Sequence, residues 1–240
     1  MLKQYTSPLE TRFSLIDDAL VIDLGRPCRI LSSAPRGGGV MQARSIINHQ
    51  VASPPVRDED ANGVAPPRWK DPARYLGRVA ARVAAPEPCV ALMTAVPLRR
   101  LVSLREEAGT LWVEGFVTVG VTNAVRAGEP CHQPAAKNRA GTINIILITN
   151  AALTVSAMVT AVQVITESKT AVLLSHRVPS WTGQPDATGT GTDVVVVASG
   201  DGPAVRYSGT HTEIGEAIGR IVTKAVTLGL RQCMGEEGSG

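Results

Sequence analysis

The residue types best suited to chemistry gather between positions 186 and 216, in the run DATGTGTDVVVVASGDGPAVRYSGTHTEIGE. Thr188-Gly189-Thr190-Gly191-Thr192-Asp193 is a glycine–threonine loop ending in a carboxylate. Residues 194–197 are consecutive valines, which suits a strand buried on both faces. Ser208-Gly209-Thr210-His211-Thr212-Glu213 then leads into an apolar-periodic segment. Thr210 and Glu213 have the spacing of a capping box, so the spacing predicts a helix that starts at Thr210. Such a set can carry out general acid–base chemistry. Asp193, where a polar loop meets a buried strand, is the candidate base. His211, in the first helical turn, is the candidate acid, and Glu213 completes the catalytic candidates. The N–H groups of Gly189, Gly191 and the helix start are candidate oxyanion donors. Thr188, Thr190, Thr192 and Thr210 are candidate substrate contacts, and one of the first three is an alternative nucleophile. Each carboxylate or imidazole also has a plainer reading. Glu213 can be the capping partner of Thr210, Asp193 can fix the loop, and His211 can be an exposed first-turn residue. A divalent metal at Asp193, His211 and Glu213 stays open, although no HExxH-type spacing argues for one.

The elements that must position these residues follow from periodicity. Residues 12–24 and 27–33 read as strands, the first folded into a hairpin at Asp17-Asp18. Ser32-Ser33-Ala34 and the glycines Gly37, Gly38 and Gly39 read as a strand–loop–helix joint. Residues 40–48 supply its amphipathic helix, and the loop N–H groups are candidate ligand donors. Residues 53–69 carry four prolines and an acidic run, which predicts an exposed loop, a candidate lid. Residues 72–85 read as a helix with Asp71 as N-cap and Pro72 at its first position. Residues 90–94 are a short strand, and residues 98–106 and 110–122 an antiparallel pair joined near Ala108-Gly109. Asn123, at the end of that pair, is a candidate polar contact. Residues 127–140 read as a polar loop in which Cys131-His132 cannot readily serve each other, because neighbouring side chains diverge. Asn144 lies inside the apolar strand 142–148, where an amide is costly unless bonded, so it either pairs within the core or points into the site as a candidate substrate contact. Thr154 caps a helix to Glu167, residues 170–174 read as a buried strand, and His176 is satisfied locally. Residues 178–187 are a loop whose Trp181 could wall a large ligand. A final helix runs from Thr210 to about Leu230. The fold class is therefore mixed α/β, of the α+β kind. It has hairpins first, β–α alternation later, and one mixed sheet covered by helices. Residues 1–234 are expected to form one domain and 235–240 a frayed tail.

Composition narrows the classes. The 240 residues are 44% hydrophobic but only 3% aromatic, so the core must be built from Val, Ile, Leu and Ala. A net charge of +3 with dispersed basic residues gives no support to nucleic-acid binding. No leader and no run of about 18 apolar residues is visible, so a soluble, cytoplasmic protein without membrane contact is expected. The four cysteines, Cys28, Cys89, Cys131 and Cys233, lack CxxC spacing and are expected to be reduced and independent.

The segments ATGTGTD and YSGTHTEIGE, with GTINIILITNAALT upstream, resemble the adenosylcobinamide amidohydrolases, the CbiZ family. Gly120-Val121-Thr122-Asn123-Ala124 and Ser32-Ser33-Ala34 followed by Gly37-Gly38-Gly39 fit the same pattern, in order from about Leu31 to Leu228. The resemblance implies hydrolysis of adenosylcobinamide to adenosylcobyric acid and aminopropanol in corrinoid salvage. The corrinoid is then substrate and not cofactor, and a small-molecule partner. A homo-oligomer remains open. Two other readings stand beside it. One is a non-catalytic module that holds a phosphorylated or corrinoid ligand, against which Asp193 argues by its charge. The other is a hydrolase acting on a smaller amide.

Overall fold

The computed structural model describes residues 9–51, 71–130, 141–184 and 186–237. The chain runs β1 (Arg12–Ile16), β2 (Ala19–Ser32), β3 (Gly39–Gln50), α1 (Pro72–Arg82), β4 (Cys89–Thr94), a 3-10 turn (Leu98–Arg100), β5 (Val102–Ala108), β6 (Leu111–Val119), β7 (Ala124–Val125) and β8 (Ile143–Thr149). It continues through β9 (Ala152–Leu153), α2 (Val155–Ser175), β10 (Gly189–Thr190), β11 (Val194–Ser199), β12 (Ala204–Val205) and α3 (Glu213–Glu237). The main sheet has the order β4-β3-β2-β11-β8-β6-β5, with β1 also pairing β2. β11 runs parallel to β8 and β3 parallel to β4, whereas the other main-sheet neighbours are antiparallel. The mixed α+β architecture expected from the sequence is the one observed.

Side-chain alternation divides this sheet between two layers. On β8, Ile146 and Ile148 join a core with Leu20, Ile46, Val90 and Val196. Ile143, Ile145 and Leu147 join another with α2 and α3. On β4, Val90 and Leu92 face the first core, while Cys89 and Ala91 face α1. β4 and β8 thus pack on one core although three strands separate them. In a flat sheet they would stand roughly 19 Å apart. Yet Asn144 of β8 bonds Asn48 of β3 at 3.0 Å and the Met93 carbonyl of β4 at 2.7 Å. The sheet therefore folds back on itself. The register slips between Asp23 and Cys28 of β2, where a bulge lets the long hairpin bend. The result is four layers: α1, the β2–β3–β4 half, the β11–β8–β6–β5 half, and α2 with α3.

Local chemistry accounts for the boundaries. Asp17 and Asp18, with φ of 48° and 57°, turn β1 back onto β2, a conformation short polar side chains tolerate. Asp71 caps α1 by accepting from the Arg74 amide, Pro72 opens the helix, and Leu76, Val79 and Ala80 are its buried stripe. Thr154 caps α2 by accepting from the Ala157 amide. α2 is long and apolar enough to cross a membrane by length and composition alone. Its buried face, including Met158, Ala161 and Ile165, packs in the core with α3 and the sheet. Cys28, Cys89 and Cys233 are free thiols, and Cys131 lies outside the described residues.

Four element assignments differ from expectation. Residues 40–48 form strand β3 and not a helix. Ile46 and Ile47 are both buried, one toward each core, so the alternation that marks a half-exposed strand is absent. Residues 170–174 belong to α2, which continues past Glu167 to Ser175. Residues 98–100 form a 3-10 turn ahead of β5. The last helix starts at Glu213, because Thr212 rather than Thr210 accepts from the Gly215 amide, at 3.0 Å. The predicted proline-rich loop at 53–69 and Cys131-His132 lie outside the described residues.

Candidate functional site

Where β8 and β11 begin, the space between the two half-sheets opens to the surface. A cavity of about 250 Å³ sits there, lined by Pro35, Met93, Thr94, Gly141, Thr142 and Thr192 among others. Its floor is polar. Asn48, Thr94, Thr118, Thr142 and Asn144 are at most 4% exposed, and all belong to strands or strand ends facing the inner core. The Asn144 amide donates to Asn48 Oδ1 and to the Met93 carbonyl. Asn48 Nδ2 donates to Thr118 Oγ1 at 3.4 Å, and Thr118 donates to Thr94 Oγ1 at 3.3 Å. The Val96 amide donates to Thr94 Oγ1 at 3.0 Å. The Thr142 hydroxyl faces both Asn144 Oδ1 at 3.1 Å and the Thr192 carbonyl at 2.9 Å. Between the two mouths the inner core is apolar, so a bonded amide–hydroxyl cluster at this end is distinct from the packing around it.

Behind this mouth, on the helix side of the sheet, Asp193 is held from four directions. Its Oδ1 accepts from the Ile143 amide at 2.9 Å and the Thr190 hydroxyl at 2.5 Å. Its Oδ2 accepts from Lys169 Nζ at 2.6 Å and the Thr190 amide at 3.1 Å. A β-carbon on Gly189 would sit 2.7 Å from Asp193 Oδ2 and 2.8 Å from Lys169 Nζ, so only glycine fits beside the pair. The loop glycine read as an oxyanion donor thus makes room for a clasp that joins α2, β8 and β11. Thr188 takes part in the same scaffold: its hydroxyl accepts from the Ala127 amide at 2.9 Å. Asn123 lies at this end too. Its Oδ1 is buried without a hydrogen-bond partner among the described residues. A β-carbon on Gly141 would come within 2.7 Å of it.

The remaining candidates lie elsewhere. Glu213 Oε2 would stand 3.6 Å from a β-carbon on Gly109, in the β5–β6 turn. That turn is tied to Asn150, which follows the C-terminal end of β8. Asp193 touches Ile143, at the opposite end of β8. Seven strand residues separate the two ends, roughly 20 Å. His211 is exposed, two residues before Glu213. Asp193, His211 and Glu213 therefore do not meet on one substrate, nor on one metal ion. Among the described residues no three His, Cys, Asp or Glu side chains converge as a metal site. Thr210 borders a groove between α2 and α3. Gly37 packs against Cys89 and Val90 at the start of β4, and Gly38 against Ala34. Gly37, Gly38 and Gly39 are not among the residues lining the cavity. His176 bonds its own helix through Val172. His49, next to Asn48, points away from the cavity. Its Nδ1 lies 3.0 Å from the Asp18 carbonyl and its Nε2 2.9 Å from the Tyr75 hydroxyl. Burial pushes the imidazole below its ordinary pKa.

The opposite mouth of the inner space is larger, about 460 Å³, and bordered by Glu10, Arg12, Asp23, Arg26, Asn150 and Asp201. Several of its charges are already matched. Arg26 pairs with Asp201 at 2.6 Å, and buried Glu114 and Glu10 both bind Arg105. The smaller mouth, mostly apolar and lined by hydroxyls but no charged side chain, is the better site for a neutral amide.

Sequence reading found Asn144, Asn123, Thr192 and the Asp193 loop, and missed Asn48, Thr94, Thr118, Thr142 and Lys169. The missed residues gain meaning only from pairings across 24 to 96 positions, such as Thr118 with Thr94, Lys169 with Asp193, and Asn144 with Asn48.

The fold is thus a layered α+β one, with a mostly apolar cavity over a buried polar cluster where a pair of parallel strands begins. The sequence model of the adenosylcobinamide amidohydrolase family matches residues 3–238. The chain belongs to that family. It is 32% identical over 226 residues to an uncharacterised protein of Methanocaldococcus jannaschii, covering 86% of this chain and 83% of that one. It is 34% identical over 149 residues to an adenosylcobinamide amidohydrolase of Methanosarcina mazei, covering 58% of this chain and 64% of that one. Among solved structures it is similar at a TM-score of 0.40 to the PH0078 protein of Pyrococcus horikoshii, with 12% identity over 88% of this chain and 76% of that one. A beta-aminopeptidase of Burkholderia sp. also gives 0.40, with 14% identity over 90% and 78%.

Proposed function

We propose that this protein hydrolyses the amide that joins aminopropanol to the corrin side chain of adenosylcobinamide, giving adenosylcobyric acid and aminopropanol in corrinoid salvage. The observation that carries this reading is the family match over residues 3–238. In the reaction a water oxygen bonds to the carbonyl carbon and the C–N bond breaks. One water proton goes to the leaving amine nitrogen.

The cavity at the start of β8 and β11 suits the scissile arm. At about 250 Å³ it is smaller than the roughly 300–1,000 Å³ that encloses a drug-sized molecule. A corrinoid would insert one amide side chain and rest its macrocycle outside, against Pro35 and Thr192. Thr94, Thr142 and Thr192 would face the arm, the buried Asn144 cluster would support them from beneath, and Asp193 would act by fixing the loop that carries Thr190 and Thr192.

The test is incubation of purified protein with adenosylcobinamide, with added divalent metal and with chelator. Chromatography and mass spectrometry would follow adenosylcobyric acid and aminopropanol. Ligand that binds and returns unchanged would favour a binding module. Faster turnover of small amides than of cobinamide would favour a hydrolase of smaller substrates.

A further inference from the structure

The amides and hydroxyls between the half-sheets form a chain whose direction the backbone fixes at both ends. A carbonyl oxygen can only accept, so the side-chain atom 2.7 Å from the Met93 carbonyl is Nδ2 of Asn144. Its other hydrogen goes to Asn48 Oδ1, which turns Asn48 Nδ2 toward Thr118 Oγ1. Thr118 accepts there and passes its own proton to Thr94 Oγ1. At the far end the Val96 N–H, which can only donate, also points at Thr94 Oγ1. Both lone pairs of Thr94 Oγ1 are then engaged. Its own O–H remains, on a residue that lines the cavity.

A hydroxyl in that state has no lone pair with which to attack, so it is not a nucleophile. It is a fixed donor. We propose that Thr94 hydrogen-bonds the carbonyl oxygen of the scissile amide and stabilises the oxyanion, and that Thr118 and Asn48 are positioning residues that hold it as a donor. This rests on reading the protein as an amide hydrolase. As water adds, the carbonyl electron pair moves onto oxygen, and Thr94 donates to that oxygen without giving up its proton. When the oxyanion collapses the C–N bond breaks, and a proton from the water leaves on the amine. Hydrogen bonds aligned head to tail polarise one another, which strengthens the last donor. The links of 3.3 and 3.4 Å are long, and such bonds commonly tighten only when substrate is bound.

Four variants test it on adenosylcobinamide. Thr94→Val, which keeps the shape and removes the hydroxyl, should lower kcat about 10²–10³-fold with a smaller change in KM. Thr94→Ser should restore most of kcat. Thr118→Val should lower kcat by less, and Thr118→Ser should restore it, a recovery that a packing role alone would not require. Wild-type kcat in a folded Thr94→Val overturns the proposal and moves the site toward the other mouth. Should Thr94→Val not fold, unchanged kcat in Thr118→Val overturns it. If the wild-type protein turns nothing over, that failure belongs to the hydrolase reading, and the donor is judged by titrating cobinamide. Thr94→Val must then bind about 2–10-fold more weakly than wild type and Thr94→Ser. Equal affinities, or no binding by any of the three, overturn it.

Discussion

Lys169 Nζ lies 2.6 Å from Asp193 Oδ2, and this pair ties the middle of α2 to the foot of β11. The side chains are 11% and 13% exposed, so each charge depends on the other for compensation. Asp193→Asn strands the Lys169 ammonium, and breaking such a pair costs up to about 3 kcal/mol. Asp193→Asn and Lys169→Met should therefore both lower Tm and lose activity together. Full stability of Asp193→Asn with a loss of about 10²-fold or more in kcat would instead make Asp193 a general base.

The opposite end of β8 should be silent in catalysis. His211→Ala and Glu213→Gln are expected to keep kcat near the wild-type value. Thr212→Ala removes the acceptor of the Gly215 amide and should cost about 1 kcal/mol in stability. Thermal melts alongside turnover check both. A large fall in kcat for His211→Ala at unchanged Tm would bring this end back into the site.

Much of the fold was legible. Asp17-Asp18 announced its turn, Asp71-Pro72 its helix start, and the valine run a doubly covered strand. The two large errors share a cause. β3 contacts a core on each face, so Ile46 and Ile47 read as neighbours on a helix. α2 carries Glu167-Ser168-Lys169 between apolar stretches, and that polar break read as the end of the helix. Lys169 is buried there because Asp193, 24 residues on, neutralises it. The site was half legible for the same reason. Asn144 stood out as an amide in an apolar strand, but Asn48, Thr94 and Thr118 become a cluster only when the sheet folds over.

That folded sheet makes Asn144 a stability residue as well. Asn144→Ala would leave Asn48 Oδ1 and the Met93 carbonyl buried without their donor. Each such group costs about 1–3 kcal/mol. Urea unfolding should show a loss of about 2–4 kcal/mol with little change in m. A smaller loss would mean that water enters the cluster.

His49 predicts a pH dependence. Its Nδ1 faces a carbonyl, so Nδ1 carries the proton and Nε2 accepts from Tyr75. Burial lowers its pKa from 6.5, and the bond to Asp18 opposes this only in part. The unfolded chain therefore binds the proton more readily. This contribution to stability is present above about pH 6.5 and is lost as the pH falls below it. Unfolding free energy measured between pH 7.5 and 5 should fall through that window, and His49→Gln should flatten the slope. Equal slopes in both proteins would place the titration elsewhere.

Mass-resolved analysis of adenosylcobinamide incubated with the purified wild-type protein, in parallel with Thr94→Val, tests amide hydrolysis and the Thr94 donor together. Stoichiometric adenosylcobyric acid and aminopropanol are expected from wild type, formed about 10²-fold or more slowly after the substitution. Adenosylcobinamide recovered intact from the wild-type protein, under every metal condition tried, would contradict amide hydrolysis.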